Sequence, residues 1–174
     1  MRTLVVIILS CLTLLVGCNH LKPVHQADAT NSSTEPSTSA QALPSGRGTA
    51  AEAKAMMLKA VEHYSAVGRS KALADFTAMK SPFGDRDLYV VCLDSAHKVS
   101  AHGGYAQYVG QSSDVWKDAD GKSLGQAIWE QAWNSGETTL DYKWTNPVSK
   151  LTEKKTAYFK KVGEDICGVS AYTD

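Results

Sequence analysis

The chain of 174 residues carries 18 basic and 18 acidic side chains, so no single-sign field marks it as a partner for nucleic acid. No internal repeat and no second hydrophobic span follows the first residues, and no pair of nearby Cys or His residues has the spacing of a zinc or redox motif. These absences leave a single ordinary domain behind an N-terminal address.

Met1-Arg2-Thr3 is a short basic start, and Leu4 to Val16 is an apolar run too short for a permanent membrane helix but suited to a secretory signal. Leu15-Val16-Gly17-Cys18 resembles a bacterial lipobox, which implies cleavage after residue 17 and acylation of Cys18. The plainer alternative is an ordinary signal peptide. Asn19, rather than Asp, after the cysteine implies an outer-membrane destination in a Gram-negative host. Residues 18–49 are then the lipidated cysteine and a Ser-, Thr-, Ala- and Pro-rich disordered tether, with a reach of roughly 30 Å. His20 and His25 in this stretch read as solvated bystanders.

The folded domain is expected over residues 50–174. Thr49 with Glu52 forms a capping-box pattern, and Ala53, Met57, Val61 and Tyr64 recur at helical spacing up to a stop at Gly68. A second helix from Ser70 to Met79 would turn Leu73 and Phe76 to the core, while His63 reads as a surface or half-buried residue. Ser81-Pro82-Phe83-Gly84-Asp85 is a turn, and Leu88 to Asp94 is the strongest strand signal in the chain. Val99 to His102 pairs back as a hairpin, and Gly103-Gly104 releases the chain into a loop.

Asp118-Ala119-Asp120-Gly121 invites comparison with a calcium loop, but the ligand positions before and after it fall on Trp116 and Ala127, so a turn is expected and no metal. Ser123 with Gln126 suggests a second capping box, opening a helix that ends near Asn134. Trp129 and Trp133 share one of its faces. They either wall a pocket or pack the helix on a sheet.

Beyond Gly136 the period becomes 2, with Thr138, Leu140, Tyr142 and Trp144 on one face of a strand broken at Asn146-Pro147. Strands from Lys154 to Val162 and from Asp165 to Tyr172 follow. The expected class is α+β, a five-stranded antiparallel PAS-like sheet with a long N-terminal helix and an inserted helix. Cys92 and Cys167 form either a disulfide or a pair of buried, reduced thiols.

Asp87-Leu88-Tyr89-Val90-Val91, Ala101-His102, Val109-Gly110-Gln111, Asp118-Ala119-Asp120-Gly121-Lys122, Asp141 to Pro147, Lys155-Thr156-Ala157-Tyr158 and Cys167 to Tyr172 together resemble the single Cache domain family, type 2. The resemblance covers nearly everything from Ala50 onward. It implies an extracytoplasmic sensor domain for a short carboxylate such as pyruvate, lactate, acetate or propionate, without a cofactor. Gly103 stands where the family usually has Pro.

The resemblance places Lys155 on the carboxylate with help from Tyr158, Tyr142 and Trp144 as walls, and His102 with Tyr105 closing one side. Trp129 is a further candidate contact. Lys155 and Tyr158 are three apart in sequence, so in a regular strand they occupy opposite faces unless a bulge or twist unites them. The expected protein is a non-catalytic, lipid-anchored periplasmic binding module, with a membrane contact through its lipid and an envelope signalling partner. The alternative is an envelope assembly lipoprotein that uses the fold for protein contacts. Catalysis is not expected, since Asp94 and His102 have no activated nucleophile beside them and no nucleophile elbow, zincin helix or Walker loop is present.

Overall fold

The computed structural model describes residues 46–146 and 149–173. The expected signal segment, Cys18, His20, His25 and most of the tether lie outside them. Among the described residues no helix is long and apolar enough to cross a membrane.

Helix α1, Ala50–Val67, starts where its cap requires. Thr49 Oγ1 accepts from Glu52 N at 3.2 Å and Glu52 Oε2 accepts from Thr49 N at 2.7 Å, which satisfies two of the otherwise orphaned first-turn donors. Gly68, at φ 82°, ends α1 and leads directly into α2, Arg69–Thr77. The inserted helix α3, Leu124–Ser135, stops at Gly136 in the left-handed region. Its start differs from expectation. Ser123 makes no side-chain cap; it bridges to Lys117 instead, and Leu124 N donates to Trp116 O at 2.9 Å. The tertiary partner has taken the place of the local one.

The sheet holds β1 (Gly84–Asp85), β2 (Leu88–Asp94), β3 (Val99–His102), β4 (Glu137–Thr145), β5 (Thr152–Val162) and β6 (Asp165–Tyr172), in an antiparallel arrangement. The two-residue β1, in a stretch expected as a turn, adds to the five expected strands. Spatial order runs β1-β2-β6-β5-β4, with β3 also on β2. Cys92 and Cys167 are directly opposite on β2 and β6, and a disulfide joins them across a sequence separation of 75.

Alternation along the strands sorts side chains onto two faces. Leu88, Val90, Cys92, Cys167, Val169 and Ala171 pack under α1 and α2 with Ala53, Met57, Ala60 and Phe76. On the other face Leu93, Leu140, Ala157, Phe159 and Ile166 pack against Leu124, Ile128 and Ala132 of α3. The helix face also carries two buried acids, each fully engaged. Asp75 accepts from Lys71, from Lys80 at 2.6 Å and contacts His63 Nε2 at 3.1 Å. Asp165, 0% exposed, accepts from Tyr64 Oη at 2.6 Å and Arg69 Nε at 2.7 Å, tying both helices to the start of β6.

Candidate functional site

The antiparallel register puts Tyr142 of β4, Lys155 of β5 and Tyr172 of β6 in one row across the sheet, with Leu140, Ala157 and Ser170 in the next. Between this surface and the segment from Gly103 to α3 lies a cavity with about 50 Å³ of space for the centres of water-sized molecules. At roughly 10–15 Å³ per water that is room for a few waters or one small organic molecule. Tyr89, His102, Tyr105, Tyr108, Trp116, Tyr142, Trp144 and Lys155 line it, over a floor that includes Val91, Phe159, Gly168 and Ser170.

Lys155 is 2% exposed. Its Nζ lies 4.4 Å from the centre of the Tyr172 ring and 5.5 Å from that of Tyr89, and among the described residues no carboxylate forms an ion pair or hydrogen bond with it. Burial lowers its ammonium to about 8, a shift only partly opposed by the charge of Asp87. Cation–π contacts of this kind stabilise an ammonium by about 2 kcal/mol when desolvated, well short of replacing its hydration. The site therefore holds a positive charge in want of an anion.

His102 is the hub of the opposite wall. Its ring stacks on Tyr89 at 5.3 Å and meets Tyr105, Tyr108 and Trp116 edge-on at 5.4, 5.5 and 6.0 Å. Burial, and then the Lys155 charge, pull the imidazolium down to about 3, so the ring is neutral. Tyr105 N donates to Nδ1 at 3.0 Å, which leaves the remaining ring proton on Nε2 as a donor. Tyr142 Oη donates to Ser170 Oγ at 3.1 Å, and burial pushes the Tyr142 phenol up to about 12. The polar groups of the cavity are thus one cation and several neutral donors, a set complementary to an oxygen-rich anion with a short apolar body.

Glycine sets the position of the Tyr89 ring. A Cβ on Gly104 would stand 2.9 Å from Cε1 and Cζ of Tyr89, so the Gly103-Gly104 backbone lies flat on that ring. A Cβ on Gly168 would fall 2.2 Å from Cδ1 of Phe159, so the floor can hold Phe159 only above a glycine.

The structure brings Lys155, Tyr142, Trp144, His102 and Tyr105 together, but not the other two candidates. Tyr158 faces α1 in a regular strand without a bulge, with Lys54 Nζ 5.9 Å from its ring centre. Trp129 stacks on Trp133 at 5.4 Å and meets His97 at a tilt at 4.3 Å, outside the cavity wall. Tyr89, Tyr108, Trp116, Ser170 and Tyr172 belong to the site and were not among the expected contacts. For Ser170 a signal existed, since it is two residues from Gly168 and so shares its face of β6. Asp94 spends its carboxylate on Ala96 N and Lys98 N, holding the β2–β3 turn. Asp118 Oδ1 accepts from Asp120 N and Lys122 N, so the sequence that suggested a calcium loop is an Asx turn.

The profile of the single Cache domain 2 family matches residues 37–165. No curated protein matches the chain. Among solved structures, a methyl-accepting chemotaxis protein from Vibrio parahaemolyticus superposes with a TM-score of 0.59 at 19% identity, covering 71% of this chain and 88% of its own. The periplasmic sensor domain of a chemotaxis protein gives 0.59 at 24% identity over 71% and 94%. A Cache chemosensory domain, solved for its carboxylic acid recognition, gives 0.54 at 19% identity over 70% and 86%. At these identities the likeness is one of fold.

Proposed function

The chain belongs to the single Cache domain 2 family, a family of extracytoplasmic small-ligand sensor domains, and from that premise we propose that it binds a short monocarboxylate. Lys155 pairs with the carboxylate, His102 Nε2 and the hydroxyls of Tyr89 and Ser170 offer further donors, the last because Ser170 Oγ already accepts from Tyr142, and Trp144 and Phe159 cover the apolar part. The observation that carries the reading is a lysine 2% exposed, with no acidic partner among the described residues, lining a cavity of about 50 Å³. Such a charge is costly to maintain without a ligand to neutralise it. Resemblance in fold to a domain solved for carboxylic acid recognition is consistent with this reading.

The lipobox-like Leu15-Val16-Gly17-Cys18 supports a lipid-anchored protein on the periplasmic face. Binding is non-catalytic. An acid of about six heavy atoms has at most roughly 1.5 kcal/mol per atom available, about 9 kcal/mol in all, so its Kd is no lower than roughly a few tenths of a micromolar. A thermal-shift screen with acetate, propionate, lactate and pyruvate tests the function. At 100 times Kd a ligand adds about 2.7 kcal/mol of stability to the wild type, and Lys155→Ala should lose that response. Equal stabilisation of the variant, or none of the wild type by any short acid, rules the reading out.

A further inference from the structure

A lysine that is buried, unpaired and faces a small apolar cavity has a second chemistry besides holding an anion. Lysines desolvated in this way supply the neutral amine needed to attack a carbonyl. The charged and titratable groups around Lys155 favour this use. Among the described residues Asp87 is the carboxylate whose charge reaches it; Asp87 Oδ1 accepts from Gly48 N at 2.6 Å, Oδ2 is buried without a partner, and neither oxygen forms an ion pair with Lys155. His102 is neutral, and the surrounding phenols of Tyr89, Tyr142 and Tyr172 are all pushed up by burial, so none is an anion near neutral pH. Exposed lysines such as Lys71, Lys80 and Lys154 instead pair with carboxylates.

Resting on the carboxylate reading above, we propose that Lys155 captures the carbonyl carbon of a short 2-oxo acid as a reversible imine. The Nζ lone pair forms the C–N bond while the carbonyl π electrons move onto oxygen, which takes up a proton as nitrogen releases one. The resulting carbinolamine expels its hydroxyl, with a second proton, as water while the nitrogen lone pair forms C=N; the neutral imine has lost both amine protons to that water, and no oxidant or reductant is involved. When the imine nitrogen is protonated, the positive charge stays at Nζ, next to the carboxylate on the adjacent carbon, so electrostatic neutralisation survives the covalent step. The Tyr142–Ser170 hydroxyl pair stands on the same wall as Lys155 and is suited to exchanging a proton with the carbinolamine oxygen. The cavity admits few waters, which limits hydrolysis of the product.

Incubating the full chain with pyruvate and cyanoborohydride near neutral pH tests the proposal, because hydride fixes an imine as a stable amine. Intact mass should show one addition equal to pyruvic acid less one oxygen atom, and peptide mapping should place it on Lys155. With its ammonium at about 8 against the usual 10.5, Lys155 should label roughly a hundredfold faster than surface lysines. Propionate, which has no carbonyl, should suppress that label by competition and never leave one of its own. Lys155→Arg should not be labelled. If the arginine variant does not fold, propionate competition on the wild type distinguishes the same two outcomes. Label spread evenly over surface lysines, or no label while pyruvate still raises Tm, overturns the imine and leaves the carboxylate reading intact. Failure of propionate and pyruvate alike to raise Tm is the separate result that removes the carboxylate reading itself.

Discussion

The two faces of the sheet treat buried charge in opposite ways. Under α1 and α2, Asp75 and Asp165 have every oxygen engaged by Lys71, Lys80, His63, Tyr64 and Arg69, and these contacts fix helices to strands. Under α3 and the loop before it, Lys155 is equally buried, yet its ammonium lies over the rings of Tyr89 and Tyr172 and pairs with no carboxylate among the described residues. A compensated charge holds a fold together, whereas an uncompensated one beside a cavity costs stability and is retained for what it can bind. The disulfide lies on the compensated side, between the two strands that carry Tyr89 and Ser170 to the other side.

This contrast can be broken from either face. The largest effect is expected from replacing Cys92 and Cys167 together by Ala, which releases a loop with a sequence separation of 75 and should cost about 3–4 kcal/mol in denaturant unfolding. Asp165→Ala removes the partner of Arg69 and Tyr64 and should cost about 3 kcal/mol, because it strips a fully buried carboxylate from its donors. Ligand affinity of the folded fraction should stay within about twofold in both variants, since neither position lines the cavity. A tenfold loss of affinity in Asp165→Ala would mean the two faces are not independent.

Gly104→Ala crosses the divide. Its Cβ would press on the Tyr89 ring, so about 1–2 kcal/mol of stability is lost, and calorimetry should show short acids bound roughly tenfold more weakly. Lys155→Met is expected to have the smallest effect on stability, neutral or stabilising, while abolishing the response to acids. It should also flatten a pH trend. The unfolded lysine keeps its proton up to 10.5, but the folded one releases it from about 8. Between those values the unfolded state binds more protons, so wild-type stability due to Lys155 rises with pH, and below about 8 its full cost is present. Unfolding curves that do not differ between wild type and variant from pH 8 to 10 would count against a desolvated ammonium.

Much of the fold could be read in the sequence because local rules and packing agree. The Thr49–Glu52 cap, the Gly68 and Gly136 stops and the alternation through Leu140, Tyr142 and Trp144 depend on neighbours within a few residues. Ser123 misled because a bridge to Lys117, invisible at short range, took over the helix start. Odd spacing put Lys155 and Tyr158 on opposite faces unless a bulge or twist united them, and the regular β5–β6 register keeps them apart. The site's other half was less accessible. β2 is apolar on both faces, so Tyr89 had no assigned side, while Tyr108 and Trp116 reach the cavity from short turns that carry no period. Trp129 shares a helical face with Trp133, but which way that face points depends on where α3 sits on the sheet.

Ligand binding turns on one buried ammonium group, Lys155, whose titration reads its charge directly. Following the Lys155 side chain by NMR across pH, the free protein should show a midpoint near 8, and saturating propionate should move that midpoint upward, since an anion stabilises the charged form. A midpoint at the ordinary 10.5, unmoved by the acid, would contradict the account.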